Sequence, residues 1–336
     1  MSAQDKNSVL IIGGSGIVGR RAAETLRKLH PDLPITIGGR DLRRAEAVAR
    51  AIGRADAATI DLSRPDLGQP ADKTYGAIVM FLKDGGLNTL RYAQAKGLPY
   101  LSISSGVFEV GPEMALHIHK PKSAPVLMDS NWLAGAATLP TLHFAKAFRT
   151  VETIEIAAVL DEQDMGGPAA YADFERLTTA APHPLILKDG QWLWARDADA
   201  RRTFTTVDGT ELAGQAYSPL DVLSLGAATD ARSIRFDLVL GETASRRRGE
   251  PFSTEIVIEI TGERQDGTHG RERHEIVHAA GQGALTALGV ALGIERLMGL
   301  AGGAPVEPGL YLPEVLIDPA YFLRRLEEFG AVVRRA

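Results

Sequence analysis

The chain has 336 residues, which is long enough for two hydrophobic cores rather than one. Its net charge of −5 argues against a broad nucleic-acid surface, which needs a basic excess. It has no cysteine, so disulfides, thiolate zinc sites and cysteine nucleophiles are excluded. No stretch reaches the roughly 18 apolar residues that cross a bilayer, and "MSAQDKNS" followed by the short "VLII" has no signal-peptide core. A cytoplasmic protein with no membrane or nucleic-acid partner is expected.

"SVLIIGGSGIVGRRAAETLRKL" predicts strand, turn and helix. Val9 to Ile12 is a short apolar run of the kind found in buried parallel strands. Gly14, Gly16 and Gly19 then fit G-x-G-x-x-G, enclosing Ser15, Ile17 and Val18. In that pattern the first glycine permits the tight turn. The second lets a pyrophosphate approach the backbone, and the third lets the helix pack closely on the strand. The helix start offers N–H groups to the phosphates. Because the pattern follows a strand and opens a helix, it points to a dinucleotide. A glycine-rich turn in an empty or methyl-donor-binding α/β domain is the alternative.

Ile35 to Ile37 continue as a second strand. At its end NAD sites carry an acid that holds the ribose 2′-hydroxyl, whereas this chain has Gly39 and Arg40. Gly39 leaves room, Arg40 offers a planar fork to a 2′-phosphate, and Arg43 and Arg44 add positive charge. NADP is therefore expected rather than NAD. The alternative is a solvated Arg40, with Asp41 on the ribose. Asp41 also suits the N-cap of a helix on which Leu42, Ala45, Val48, Ala49 and Ile52 share a face, closed by Gly53.

"AATID" predicts a third strand ending at Asp61. The expected fold places Asp61 and Leu62 near the adenine. "YGAIVMFL" is a fourth strand, "NTLRYAQAKG" a helix, "YLSIS" a fifth strand and "APVLMDS" a sixth. Strands alternating with helices predict an α/β fold, a doubly wound parallel sheet. In such sheets ligands bind beyond the carboxyl ends of the strands. That rule selects Lys83 and Asp84, Ser104 and Ser105, and Asp129, Ser130 and Asn131. Lys83 either donates a proton or holds a carboxylate, or is a surface lysine paired with Asp84. Asn131 either faces the ligand or caps a helix starting at Trp132. His117 and His119 read as surface residues.

Two motifs are misleading. Tyr92 and Lys96 have Y-x-x-x-K spacing, but they precede the fifth strand and lack an upstream serine, so an ordinary helix surface is expected. "HEIVH", 274–278, is a literal H-E-x-x-H. It lies in "RERHEIVH", which returns from the alternating "TEIVIEIT" through "QDGTHG" as a hairpin. Residues four apart on a strand are about 13 Å apart, too far to share one ion. No metal is expected, and Arg271 and Arg273 should face Glu255 and Glu259 across the hairpin.

After residue 150 the pattern becomes α+β. "TVETIEIAAVLD" alternates like a half-exposed strand, and "PAAYADFERLTTAA" is a helix. Asp189-Gly190, Asp208-Gly209 and Asp266-Gly267 are hairpin turn signals. "SRRRG", 245–249, is either a solvated turn or a carboxylate clamp. Tyr171 is either packed or reaches over a substrate.

"VLIIGGSGIVGRRAAETL", the inserted α+β segment, "TALGVALGIERLMG" and "PGLYLPEVLIDPAYFLRRLEEFG" together resemble saccharopine dehydrogenase-like oxidoreductases over most of the chain. The resemblance implies a Rossmann domain over 1–131 completed by 283–336. An α+β substrate or dimerisation domain built on an antiparallel sheet would cover 132–282, with a homodimer as the assembly. It also implies NADPH-dependent reduction of a C=N or C=O bond in a small, amino-acid-derived substrate. Gly14, Gly16 and Gly19 would hold the pyrophosphate and Arg40 the 2′-phosphate. "MFLKDGG" departs from the family's Gly-Pro turn. Its Phe81, Leu82, Lys83 and Asp84 border the expected nicotinamide, so the substrate is left open. The other readings are a non-catalytic NADP-sensing or partner-binding protein, and a carbonyl or ene reductase with no amine step.

Overall fold

A computed structural model describes residues 7–164, 166–180, 183–217 and 219–336. Residues 1–6, from the polar start, and Ala181, at the end of the predicted helix, lie outside the described residues. The chain begins with β1 (Val9–Ile12), α1 (Ile17–Leu29), β2 (Ile35–Gly39), α2 (Leu42–Ile52) and β3 (Ala55–Thr59). It continues with β4 (Ala77–Met80), α3 (Asn88–Lys96), β5 (Tyr100–Ser102), α4 (Val110–His119) and β6 (Pro125–Met128). The middle carries α5 (Thr138–Ala145), β7 (Phe148–Asp161), α6 (Pro168–Ala180), β8 (Leu185–Lys188), β9 (Gln191–Trp194), β10 (Arg201–Thr205) and β11 (Glu211–Ala216). Next come α7 (Asp221–Ala228), β12 (Ser233–Gly241), α8 (Ala244–Arg247), β13 (Thr254–Arg264) and β14 (His269–His278). The last elements are α9 (Gln282–Leu297), β15 (Gly309–Tyr311), α10 (Pro313–Leu316), α11 (Pro319–Glu328) and β16 (Ala331–Arg335). Among the described residues no helix is long and apolar enough to cross a membrane.

The chain divides into two compact units. One comprises 1–130 and 286–317, the other 131–285 and 318–336. In the first unit a seven-stranded sheet has the order β3-β2-β1-β4-β5-β6-β15, and every pairing is parallel. This is a Rossmann-type doubly wound sheet. β1, β4 and β6 are buried along their whole length, as strands covered on both faces must be. α1 buries Gly19, Ala22, Ala23 and Leu26 on one stripe, and α2 buries Ala45, Val48 and Ala49. β3 ends at Thr59, two residues before the predicted end at Asp61. Asp61 instead accepts from the Ser63 amide (2.9 Å) and hydroxyl (2.6 Å), a local turn that takes the chain out of the sheet.

The second unit is built on a nine-stranded sheet running β10-β11-β12-β7-β13-β14-β16, with β8 on β12 and β9 on β8. All its pairs are antiparallel except β7 with β12, so the inserted sheet is mixed. Residues 318–336, expected with the nucleotide domain, belong here, because β16 pairs with β14. Ile154, Ile156, Ile234, Phe236, Ile256, Ile258 and Ile276 lie in register on one face, and all are at most 1% exposed. The other face is partly ionic. Arg202 reaches Asp237 at 2.8 Å and Glu155 at 3.4 Å, and Arg273 reaches Glu275 at 2.8 Å and Glu259 at 3.3 Å.

The Asp-Gly turns fall where predicted, with Gly190, Gly209 and Gly267 at φ of 81°, 86° and 84°. "HEIVH" is on strand β14. His274 stacks on Phe144 with centroids 3.8 Å apart, and His278 contacts the Phe329 carbonyl at 3.2 Å. Arg271 and Arg273 both pair with Glu259, while Glu255 turns away to accept from the Ala244 amide (2.7 Å) at the start of α8. The arginines of "SRRRG" are all paired within the unit: Arg246 with Asp161 and Glu162, Arg247 with Asp208, and Arg248 with Glu250.

A buried acid ties the start of this unit together. Asp221, fully buried, accepts from the Trp132 amide and the Thr138 hydroxyl, both at 2.6 Å. Burial pushes its carboxyl up to about 6 despite those donors. Between about pH 4 and 6 the folded chain therefore holds a proton that the unfolded chain has released. The stability this site contributes is complete below about pH 4 and is lost as pH rises through 6. Urea unfolding of wild type and Asp221→Asn should show the variant gaining about 3 kcal/mol relative to wild type between pH 4 and 7. A pH-independent difference would contradict the assignment.

Candidate functional site

In the first sheet the strand order reverses at β1 and β4, and the turns leaving these strands meet there. Gly13 has φ +85°, and its amide donates to the Gly38 carbonyl at 2.9 Å. The Gly14 amide donates to the Ile11 carbonyl (3.1 Å) and the Gly16 amide to the Gly13 carbonyl (2.9 Å). The left-handed residue of the tight turn is thus Gly13, one before the glycine expected in that role. The doubled glycine of "IIGGSG" was the available signal. Gly14 is required for space, since a Cβ there would lie 2.8 Å from the Ile11 carbonyl oxygen. A Cβ on Gly19 would run into the Gly13 carbonyl oxygen and lie 2.9 Å from Gly14 Cα. Phe81 and Leu82 close over the same turn, 3.1 and 3.2 Å from where a Gly13 Cβ would be.

α1 starts at Ile17 behind Gly16, with no side-chain cap and no acid in its first turn. The first intrahelical bond is from the Arg20 amide to the Gly16 carbonyl (2.9 Å), so the amides of Ile17, Val18 and Gly19 precede the ladder. They carry the positive end of the helix dipole. β2 brings Gly39 beside this turn, with its would-be Cβ 3.4 Å from Ser15 Oγ. Arg40 follows and is exposed, as are Arg43 and Arg44 in the first turn of α2. None of the three has an ion-pair partner among the described residues. Asp41 does have a partner. It is the α2 N-cap and accepts from the Arg44 amide at 3.2 Å.

Asp61 is exposed, and its bonds to Ser63 hold its carboxyl below the usual range. The Leu62 carbonyl accepts from Asn88 Nδ2 at 2.9 Å. Past β4, Lys83 pairs with Glu109 at 3.3 Å rather than with Asp84. Asp84 is buried and accepts from the amides of Gly86 (3.1 Å) and Thr89 (2.7 Å) and from the Thr89 hydroxyl, binding its own loop to α3.

Past β5, the Ser105 hydroxyl donates to Glu113 Oε1 at 2.7 Å, and the Ser105 amide donates to Ser130 Oγ at 3.0 Å. Glu109 and Glu113 were not foreseen. Helix α4 buries Glu113 and His117 while leaving Met114 and Ile118 43% and 67% exposed, the reverse of the usual amphipathic rule. His117 is therefore buried rather than on the surface. Tyr92 is buried as well, and Lys96 Nζ donates to the Ala71 carbonyl at 2.8 Å.

Asn131 and Tyr171 belong to the second unit. No helix starts at Trp132. Residues 131–137 are turns with Leu133 and Ala134 at φ of 51° and 55°, and α5 begins at Thr138. Asn131 Nδ2 donates to Thr138 Oγ1 (2.8 Å) and Ser224 Oγ (3.0 Å). Tyr171 is 57% exposed on α6.

No protein-family model matches the sequence, and no curated protein matches it. Among solved structures, the apo histidine-tagged saccharopine dehydrogenase (L-Glu forming) from Saccharomyces cerevisiae is similar, with a TM-score of 0.64. It is 13% identical, and the match covers 98% of this chain and 100% of that one. GenD2 from gentamicin A biosynthesis, solved in complex with NAD, has a TM-score of 0.49 at 13% identity, covering 100% and 98%. The likeness to the saccharopine dehydrogenase is one of fold.

The glycine geometry predicts a contrast. Gly19→Ala should cost about 1–3 kcal/mol of folding stability, because its Cβ meets backbone. Gly16→Ala, whose Cβ would lie 3.2 Å from the Gly13 carbonyl oxygen at an ordinary φ of −79°, should cost less, about 0.5–1 kcal/mol, mainly through the poorer N-cap. Equal losses on denaturation would contradict the close packing of α1 on the turn.

Proposed function

We propose that the chain is an NADP-dependent oxidoreductase of the saccharopine dehydrogenase-like type, reducing a C=N or C=O bond in a small, amino-acid-derived substrate. The observation that carries the cofactor choice is the division of labour after β2. Asp41, the one acid there, is engaged as a helix cap, while Arg40 is exposed beside the glycine turn with no ion-pair partner among the described residues. A 2′-phosphate matches that arrangement, because the exposed guanidinium can form charge-assisted hydrogen bonds with it.

The residues fit the rest of the nucleotide. The backbone of Gly14 to Gly19, with Ser15, Ile17 and Val18, would take the pyrophosphate at an uncapped helix start. Arg43 or Arg44 would support Arg40. Asp61 and Leu62 would border the adenine, and Phe81 and Leu82 the nicotinamide. When bound, the reduced nicotinamide supplies a hydride, and the protein's share is orientation and proton handling. Lys83, held by Glu109 past β4, would hold a substrate carboxylate. The saccharopine dehydrogenase fold neighbour supports this reaction class.

Arg40→Asp is the test. It removes a charge-assisted hydrogen bond and adds repulsion, so NADPH affinity should fall by about 10–100-fold. NADH affinity should stay within about threefold. Fluorescence titration of both nucleotides measures this, and equal weakening would sink the phosphate-clamp reading.

A further inference from the structure

The least ordinary feature of the first unit is the helix that turns its acid inward. α4 buries Glu113 and His117 and exposes Met114 and Ile118. Hydrophobic burial does not favour that orientation. It delivers one carboxyl to the loop leaving β5. There Glu113, 4% exposed, receives the Ser105 hydroxyl at 2.7 Å. Its second oxygen, Oε2, is buried without a hydrogen-bond partner among the described residues. A buried carboxylate with one donor costs more than the neutral acid, which buries no charge.

We propose that Ser105 and Glu113 form the proton-donating pair of the reductase, with Ser105 Oγ facing the bond being reduced and Glu113 standing behind it. The proposal rests on the cofactor reading above. The pair lies past the carboxyl end of β5, on the side of the switch point where such sheets place the reacting end of a dinucleotide. The charged and titratable groups around Glu113 are Lys83 and Asp84 from the turn after β4, Tyr100 from β5, and Glu109 one turn before it. Burial is the largest influence on the Glu113 carboxyl and raises it. The Ser105 hydroxyl and the Lys83 charge oppose that rise, and Glu109 and Asp84 add to it.

As the substrate carbon takes the hydride that a reduced nicotinamide supplies, the π pair of C=O or C=N moves to the oxygen or nitrogen. With Glu113 protonated, its O–H donates to Ser105 Oγ, and the Ser105 hydroxyl rotates from Glu113 to that atom and gives up its proton to it. The O–H bond of Glu113 breaks to restore the Ser105 hydroxyl, and the Glu113 carboxylate regains its proton from water. Glu113 acts through Ser105 and is a positioning residue. Ser105 is the group that touches the substrate.

The test needs no substrate. NADP⁺ and NADPH differ by the positive charge of the oxidised nicotinamide, and a nearby carboxylic acid should release its proton to the first and keep it beside the second. Each nucleotide is added at neutral pH to weakly buffered full-length protein containing a pH indicator. NADP⁺ should release more protons than NADPH. Glu113→Gln should abolish the difference while still binding both nucleotides. Ser105→Ala removes the donor that stabilises the carboxylate and should lower the release as well.

No difference in wild type, or a difference that survives in Glu113→Gln, overturns the pair and leaves the cofactor reading intact. Release unchanged in Ser105→Ala overturns the serine's part. Failure to bind either nucleotide overturns the cofactor reading and this inference with it. If Glu113→Gln does not fold, an NADP⁺-minus-NADPH infrared difference spectrum of wild type reads the same event. Loss of a protonated carboxyl band is expected, and an unchanged band refutes it.

Discussion

The backbone of α1 passes so close to the end of β1 that no side chain fits between them. Gly14 has only 2.8 Å between its would-be Cβ and the Ile11 carbonyl oxygen, and Gly19 has less against Gly13. From this approach the rest of the first unit follows. It aims the uncapped start of α1 across the carboxyl edge of the sheet, and it puts Ser15 against Gly39 at the end of β2. It also leaves room for Phe81 and Leu82 to close over Gly13 from the β4 side. One constraint on space thereby sets the backbone positions on which the proposed cofactor reading rests.

Polar groups complete what packing starts. Asp41 caps α2 and so leaves Arg40 as the side chain available to an anion after β2. Asp84 holds the loop after β4 in shape, and Lys83 is steered by Glu109. In the second unit Asp221 performs the same structural service, joining the Trp132 amide and Thr138 to α7. Asp84 and Asp221 are buried, and both satisfy backbone donors. Glu113 is different, since it bonds a single side-chain hydroxyl and keeps an oxygen unmatched among the described residues.

Local patterns in the sequence carried the fold a long way. The apolar run at Val9, the glycine spacing, the Asp41 cap and the three Asp-Gly turns each depend on neighbours a few residues away, so they are readable in one dimension. "HEIVH" was separable from a zinc motif because the alternation around it has a period of two. What was not legible depends on distant partners. Lys83 meets Glu109, and Thr138 meets Asp221 83 residues away. β7 lies parallel to β12, and the tail adds β16 to the second sheet. His117, expected at the surface, is buried beside Glu113 while Met114 and Ile118 are exposed, so side-chain polarity alone does not identify the inner face of α4.

On the proposed reading, the carboxyl edge beside Gly39 and Arg40 takes a phosphate on the 2′ oxygen of the nucleotide. Adenosine 2′,5′-bisphosphate and 5′-AMP differ by that group alone and need neither substrate nor turnover. Calorimetric titration of the wild-type protein should find the bisphosphate at least about tenfold tighter, as one charge-assisted contact implies. Equal affinities would contradict it.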